Sequence, residues 1–230
     1  KGFAETFTVH VKQAIHELEE AGHGVACFIL DPYFSNEGFP TLPSGFLDET
    51  AKAVRAAGGI MIADEVQPGF GRTGTHMWGH EKIGLAPEIV TTGKPMANGH
   101  PVGSVISSPE ILSAFRETTG YFNTFGGNPV SCAAAIATLD VLENENLMAN
   151  AQDAGNYARE RLAALAQRYE AIGNVRGSGL FFGAELVKNR ETREPDAKLA
   201  EKVSNAMRHE GILLNRASIH HNTLKVRPPM

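Results

Sequence analysis

Three stretches of the sequence bring together groups that do chemistry. In Ile62-Ala63-Asp64-Glu65-Val66-Gln67 a carboxylate closes an apolar run, a costly place for charge unless a cation or a donor meets it. In Thr92-Gly93-Lys94-Pro95 a lysine sits in a tight turn after a strand-like stretch. An amine pressed against a sheet end loses its charge more easily, as Schiff-base chemistry requires. In Phe122-Asn123-Thr124-Phe125-Gly126-Gly127-Asn128-Pro129 a hydroxyl lies in a Gly-rich turn ahead of a helical stretch. Such turns present backbone N–H groups to anions. Each feature also has a plainer account. Asp64 can cap a turn, Lys94 can be a solvated surface group, and the turn at Thr124 can be only a helix start.

Three other patterns are weaker. His76 and His80 have the i, i+4 spacing that clamps a metal on a helix. Residues 74–79 make a poor helix, however, and no Cys/His/carboxylate set completes a ligand count, so no metal is expected. His220-His221 falls in a polar turn and reads as surface. Gly177-Ser178-Gly179 is half of a dinucleotide fingerprint without the strand-to-helix context, and reads as a turn.

The elements that must position these groups follow from apolar periodicity. Val11, Ile15 and Leu18 recur at helical spacing, and Gly22-His23-Gly24 supplies a stop. Residues 25–30 form a continuous apolar run, the pattern of a strand buried on both faces. Residues 32–43 are a loop, Ser44 is placed to cap a helix to about Ala57, and Gly58-Gly59 ends it. Residues 59–63 are the next buried strand, which makes a βαβ unit and implies a parallel sheet. Short strands follow at 88–92 and 102–107, then helices from about Pro109, at 128–143 and at 147–169. Beyond them come a hairpin over 175–187, a helix at about 196–210, and strands at 212–215 and 223–227. The boundary is expected near 143–151, with residues 1–145 forming part of a parallel α/β domain and 146–230 a smaller, truncated α+β domain. Asp64 and Lys94 then lie just past the carboxyl ends of strands, where open parallel sheets hold ligands.

Composition narrows the partners. The chain has 230 residues, with Lys+Arg 21 against Asp+Glu 26 and a net charge of −5. No basic block appears, which argues against nucleic acid or anionic lipid as the main partner. The apolar runs fall far short of the roughly 20 residues of a membrane helix. Two cysteines, Cys27 and Cys132, are too few for a disulfide framework, which fits a reducing, cytoplasmic compartment. The chain opens at Lys1 and stops at Met230 just after a strand-like stretch, and is expected to be an internal piece of a longer protein.

Taken in order, these pieces resemble the class III aminotransferases, fold-type I enzymes that depend on pyridoxal phosphate. The resemblance rests on Ala63-Asp64-Glu65-Val66-Gln67 with Gly69-Phe70-Gly71-Arg72-Thr73-Gly74, on Pro87-Glu88-Ile89-Val90-Thr91-Thr92-Gly93-Lys94, and on Asn123-Thr124-Phe125-Gly126-Gly127-Asn128-Pro129. It extends over nearly the whole chain. Gly93-Lys94-Pro95-Met96-Ala97-Asn98-Gly99-His100-Pro101 is most similar to the branch of alanine–glyoxylate aminotransferase 2 and ethanolamine-phosphate phospho-lyase.

The resemblance implies roles. Lys94 would hold the cofactor as a Schiff base and then move the proton, and Asp64 would pair with the pyridine nitrogen. Gln67 would bond the ring's phenolic oxygen, Val66 would pack on the ring face, and Thr124 would donate to the cofactor phosphate of a neighbouring subunit in a homodimer. It implies a large domain of mostly parallel sheet, in part absent at its N-terminal side, and a small C-terminal domain. The activity implied is transfer of an amino group from an amine or amino acid to a keto acid. Phospho-lyase action on a phosphorylated amine is the alternative, and an inactive association fragment is another. Asp31-Pro32-Tyr33-Phe34 and Lys225 stand where many members have a Glu-headed motif and an Arg, which puts dicarboxylate handling in doubt.

Overall fold

Aromatic side chains at i, i+4 begin the first helix. In the computed structural model, which describes residues 2–230, α1 (Phe3–Glu20) sets Phe7 edge-on to Phe28 and Phe46, with ring centroids 6.3 and 5.6 Å apart. The Thr8 hydroxyl meets that of Thr50 at 2.9 Å on the same buried face. Two compact units emerge. The first takes in Lys1–Pro32, Leu42–Phe70 and Trp78–Asn144; the second takes in Tyr33–Thr41, Gly71–Met77 and Glu145–Met230.

In the first unit, β1 (Cys27–Leu30), α2 (Asp48–Ala56) and β2 (Ile60–Asp64) form the expected βαβ unit. They are followed by the short α3 (Gly79–Lys82), β3 (Ile89–Thr92), β4 (Ser104–Ser107), α4 (Pro109–Thr119) and α5 (Pro129–Asn144). The sheet order is β1-β2-β3-β4, with β1, β2 and β3 parallel and β4 antiparallel. Helices and a mostly parallel sheet make this unit α/β. Arg55 of α2 donates to Glu88 at 2.8 Å, and the other Glu88 oxygen accepts from the Met61 N–H at 2.7 Å. Burial pushes the Glu88 carboxyl up, but the hydrogen bonds from Arg55 and Met61 outweigh it and hold the group below its ordinary value.

Two local expectations are corrected here. Among the described residues the run 25–30 is not buried on both faces: β1 ends the strand order, Cys27 is exposed and Ile29 is 57% exposed. A continuous apolar run signals strand, but it does not say which face a second layer covers. Ser44 does not cap α2 either. Gly45 takes φ +68°, residues 44–47 form a turn, and the helix starts at Asp48 with Leu47 at the cap position.

In the second unit, α6 (Leu147–Arg168) leads into β5 (Ile172–Ser178), β6 (Phe181–Asn189), β7 (Glu194–Pro195), α7 (Ala197–His209), β8 (Asn215–Ala217) and β9 (Thr223–Val226). The sheet is antiparallel in the order β5-β6-β9-β8, with β7 paired to β6. Ala200 of α7 packs on Leu186 and Leu224, and Tyr33, Phe39 and Phe181 form a second cluster. The strand expected at 212–215 lies later, at Asn215–Ala217, with Leu213 exposed. Arg72 donates to the carbonyls of Leu180 and Pro228 at 3.1 and 2.8 Å. Burial, and then the nearby Arg227 charge, lower its pKa.

Gly155 of α6 touches the β5–β6 hairpin backbone directly. A Cβ there would fall 2.0 Å from the Gly179 carbonyl oxygen, and Gly179 itself takes φ +52°. Neither backbone can give without moving a helix or a hairpin. Gly155→Ala should therefore cost about 3 kcal/mol, at the upper end for overpacking. A fall in the urea midpoint at unchanged slope would show it; an unchanged midpoint would mean that the contact is loose. No helix among the described residues is long and apolar enough to cross a membrane.

Candidate active site

Parallel pairing of β2 with β3 places Asp64 opposite Thr91, so the chain leaves both strands at one carboxyl edge. Asp64 is the last residue of β2 and is half-buried. Its Oδ1 accepts from the Val66 N–H at 3.0 Å and, at a long 3.4 Å, from the Thr91 hydroxyl. Among the described residues nothing bonds its Oδ2. The plainer account of Asp64 is thus half right, since it does close a turn, but only with one oxygen.

Lys94 lies two residues past the end of β3, exposed, and no described residue bonds or pairs with its ammonium. A Cβ on Gly93 would sit 3.4 and 3.5 Å from the two Val66 methyls, so Val66 is in contact with the turn that carries Lys94. Gln67 follows in the turn over residues 66–70 and is half-buried. The structure therefore brings Asp64, Val66, Gln67 and Lys94 to one edge of one sheet.

Thr124 stands apart. It is exposed, and no hydrogen bond ties it to Asp64 or Lys94 among the described residues. Its turn is nevertheless well built. Asn123 Oδ1 accepts from the Phe125 and Gly126 N–H groups at 3.1 and 2.9 Å, and Asn128 Oδ1 caps α5 by accepting from the Ser131 N–H at 2.9 Å. Asn128 before Pro129 is a helix-start signal legible in the sequence. His100, in the turn after Lys94, meets the Ser131 hydroxyl at 2.8 Å through Nε2. That contact joins the Lys94 turn to the α5 start, and nothing in the sequence announces it.

Glu65 has a task of its own that its place in the sequence does not announce. It is 0% exposed, and its carboxylate accepts from the N–H groups of Gly79 and His80 at 2.8 and 2.7 Å and meets His80 Nδ1 at 2.8 Å. His76 instead meets the Thr75 hydroxyl at 2.8 Å. The two histidines thus serve different partners, and no group of three or more possible ligands for a metal occurs among the described residues. In the second unit Lys225 is 3% exposed, donates to Ser35 Oγ and Asn36 Oδ1 at 3.2 Å each, and lies 5.4 Å from the centre of the Phe181 ring.

The donor set suits an aldehyde-bearing pyridine cofactor. It offers one unsatisfied carboxylate oxygen for a ring nitrogen, an unpartnered amine for the aldehyde, and small or branched apolar groups for a flat ring. Comparison with known proteins agrees. The family model for aminotransferase class-III matches residues 3–230. The chain is 48% identical over 211 residues to an alanine–glyoxylate aminotransferase 2-like protein of Drosophila melanogaster, covering 91% of this chain and 43% of that protein. It is 45% identical over 223 residues to ethanolamine-phosphate phospho-lyase homolog 1 of Caenorhabditis elegans, covering 96% and 48%. A solved phospholyase from Arthrobacter in complex with phosphoethanolamine superposes with a TM-score of 0.94 at 48% identity, covering 98% of this chain and 54% of that one. The chain spans about half the length of the curated relatives it matches.

Proposed function

The chain belongs to the class-III aminotransferases, and on that premise we propose that the whole protein is a pyridoxal-phosphate-dependent aminotransferase. It would pass an amino group from a small amine or amino acid to a keto acid. One observation carries the assignment of the site: adjacent parallel strands deliver a half-satisfied carboxylate, Asp64, and an unpartnered amine, Lys94, to the same sheet edge.

The cofactor, when bound, supplies an electron sink for the carbon from which a proton is lost. Lys94 Nζ would hold it and, once released, take the proton from the substrate's α-carbon and return it elsewhere. Asp64 Oδ2 would keep the ring nitrogen protonated, while Oδ1 stays with the Val66 N–H and so fixes the carboxylate's angle. Val66 would press on the ring face, and the Gln67 amide would donate to the ring oxygen. We place residues 1–145 as part of the cofactor-binding domain and 146–230 as the small domain.

A phospho-lyase is the second reading, favoured by the 48% identity to the Arthrobacter phospholyase. Incubation of the intact protein with phosphoethanolamine and no keto acid separates the two. Sustained phosphate release would defeat the aminotransferase reading, and stoichiometric conversion of the cofactor to its amine form would support it. The two cysteines, both free and exposed, support a cytosolic location, which cell fractionation tests.

We infer a homodimer with shared sites. Phe122 and Phe125 flank Thr124 at 83% and 80% exposed, and Ala133 and Ala137 on α5 are exposed as well. Faces of this kind mark protein contacts. Among the described residues nothing covers the two rings. If Thr124 serves the neighbour's phosphate, mixing inactive Lys94→Ala and Thr124→Ala proteins yields hybrid dimers with one intact site. Up to half the wild-type activity per hybrid dimer is expected. No recovery after proven subunit exchange would assign Thr124 to its own subunit or to neither.

A further inference from the structure

We propose that Glu65, with His80, is the positioning residue that fixes the ring-nitrogen carboxylate and so sets how tightly the cofactor is held. The inference rests on the functional reading above. Successive side chains of a strand point to opposite faces. Met61, Ala63 and Glu65 are buried in alternation, while Ile62 and Asp64 are half-buried between them. Asp64 therefore faces the site only because Glu65 faces inward.

A bare carboxylate on that inward face would be prohibitive. Glu65 is instead held at every polar atom it has. Its carboxylate takes the Gly79 N–H, the His80 N–H and His80 Nδ1. Its own N–H donates to Thr91 O at 2.9 Å, and its carbonyl accepts from the Gly69 N–H at 3.1 Å. The Thr91 bond ties it to β3, the strand that leads to Lys94. The carboxylate bonds close the 65–80 excursion at its base.

The closed excursion is stiff. Trp78 lies against Gly69, where a Cβ would come within 3.0 Å of the indole. It also meets Phe70 edge-on at 5.2 Å. Phe70 is buried at φ +63°, a left-handed conformation that persists only where surroundings over-determine it. Asp64, Val66 and Gln67 thus hang from a residue anchored by five hydrogen bonds. Loosening Glu65 lets the Asp64 carboxylate rotate away without touching it.

The test uses the intact protein, pyridoxal 5'-phosphate as probe, and temperatures where every variant is folded by circular dichroism. Glu65→Gln presents an amide donor to an N–H that needs an acceptor. His80→Phe removes the side-chain donor and keeps the backbone ones. His80→Asn places an N–H close to where Nδ1 stood. Glu65→Gln and His80→Phe should raise the cofactor's Kd about 10- to 100-fold and speed amide hydrogen exchange over residues 64–70, the scale for displaced site groups. His80→Asn should return Kd to within about 3-fold of wild type. A Kd unchanged in Glu65→Gln and His80→Phe while their melting points fall would overturn the inference and make Glu65 a stability residue only. If Glu65→Gln does not fold, the His80 pair decides alone. Wild-type protein that binds no pyridoxal phosphate would overturn the functional reading itself, a different result.

Discussion

Lys94→Ala should abolish turnover while leaving the fold intact. The lysine is exposed and without a partner among the described residues, so its removal should change stability by less than about 0.5 kcal/mol. Its proposed work is chemical: one amine both holds the cofactor and moves the proton. Loss of a positioned acid–base group alone costs up to about 10⁴-fold, and loss of the attachment adds to that. Borohydride reduction of the intact wild-type protein should fix the cofactor to the peptide that contains Lys94. Mass spectrometry that finds the label on Lys82 or Lys225 would refute the assignment.

Asp64 is the second large effect, and two substitutions separate its tasks. Asp64→Ala removes both the turn bond to the Val66 N–H and the charge proposed to face the ring. It should raise the reaction barrier by about 3 kcal/mol, the scale for one charge partner of a reacting group. It should lower stability by about 1 kcal/mol for the lost hydrogen bond. Asp64→Asn keeps an oxygen for Val66 and loses only the charge, so it should keep the stability and lose nearly as much activity. Activity within a few-fold of wild type in Asp64→Asn would reduce Asp64 to a turn-former.

The candidate site was legible because its chemistry is carried by local sequence. Apolar strand, then carboxylate, and apolar strand, then Gly-Lys, are patterns that need no partner to be seen. The start of α5 near residue 128 was equally visible, from the Gly-rich turn ahead of the Ala-rich stretch. Errors fell where a segment's state depends on something distant. Ser44 looked like a cap, but the left-handed Gly45 delays the helix to Asp48. The residues 212–214 looked like strand, but β9 pairs with Asn215–Ala217 instead. The excursions Tyr33–Thr41 and Gly71–Met77, which count with the second unit, leave no periodic trace.

By itself the sequence determined most of the element types, the strand–helix–strand alternation that makes β1 and β2 parallel, and the place of Asp64 and Lys94 just past the carboxyl ends of strands. All of these follow from side-chain periodicity and from the short reach of turns. Only the tertiary structure decided what holds them there. Glu65 reads as an ordinary acidic neighbour of Asp64 until His80, fifteen residues on, is seen to close on it, and His100 reads as a loop residue until Ser131 meets it. The reason is physical. A buried polar group takes its meaning from the partner that satisfies it, and that partner is chosen by packing rather than by spacing.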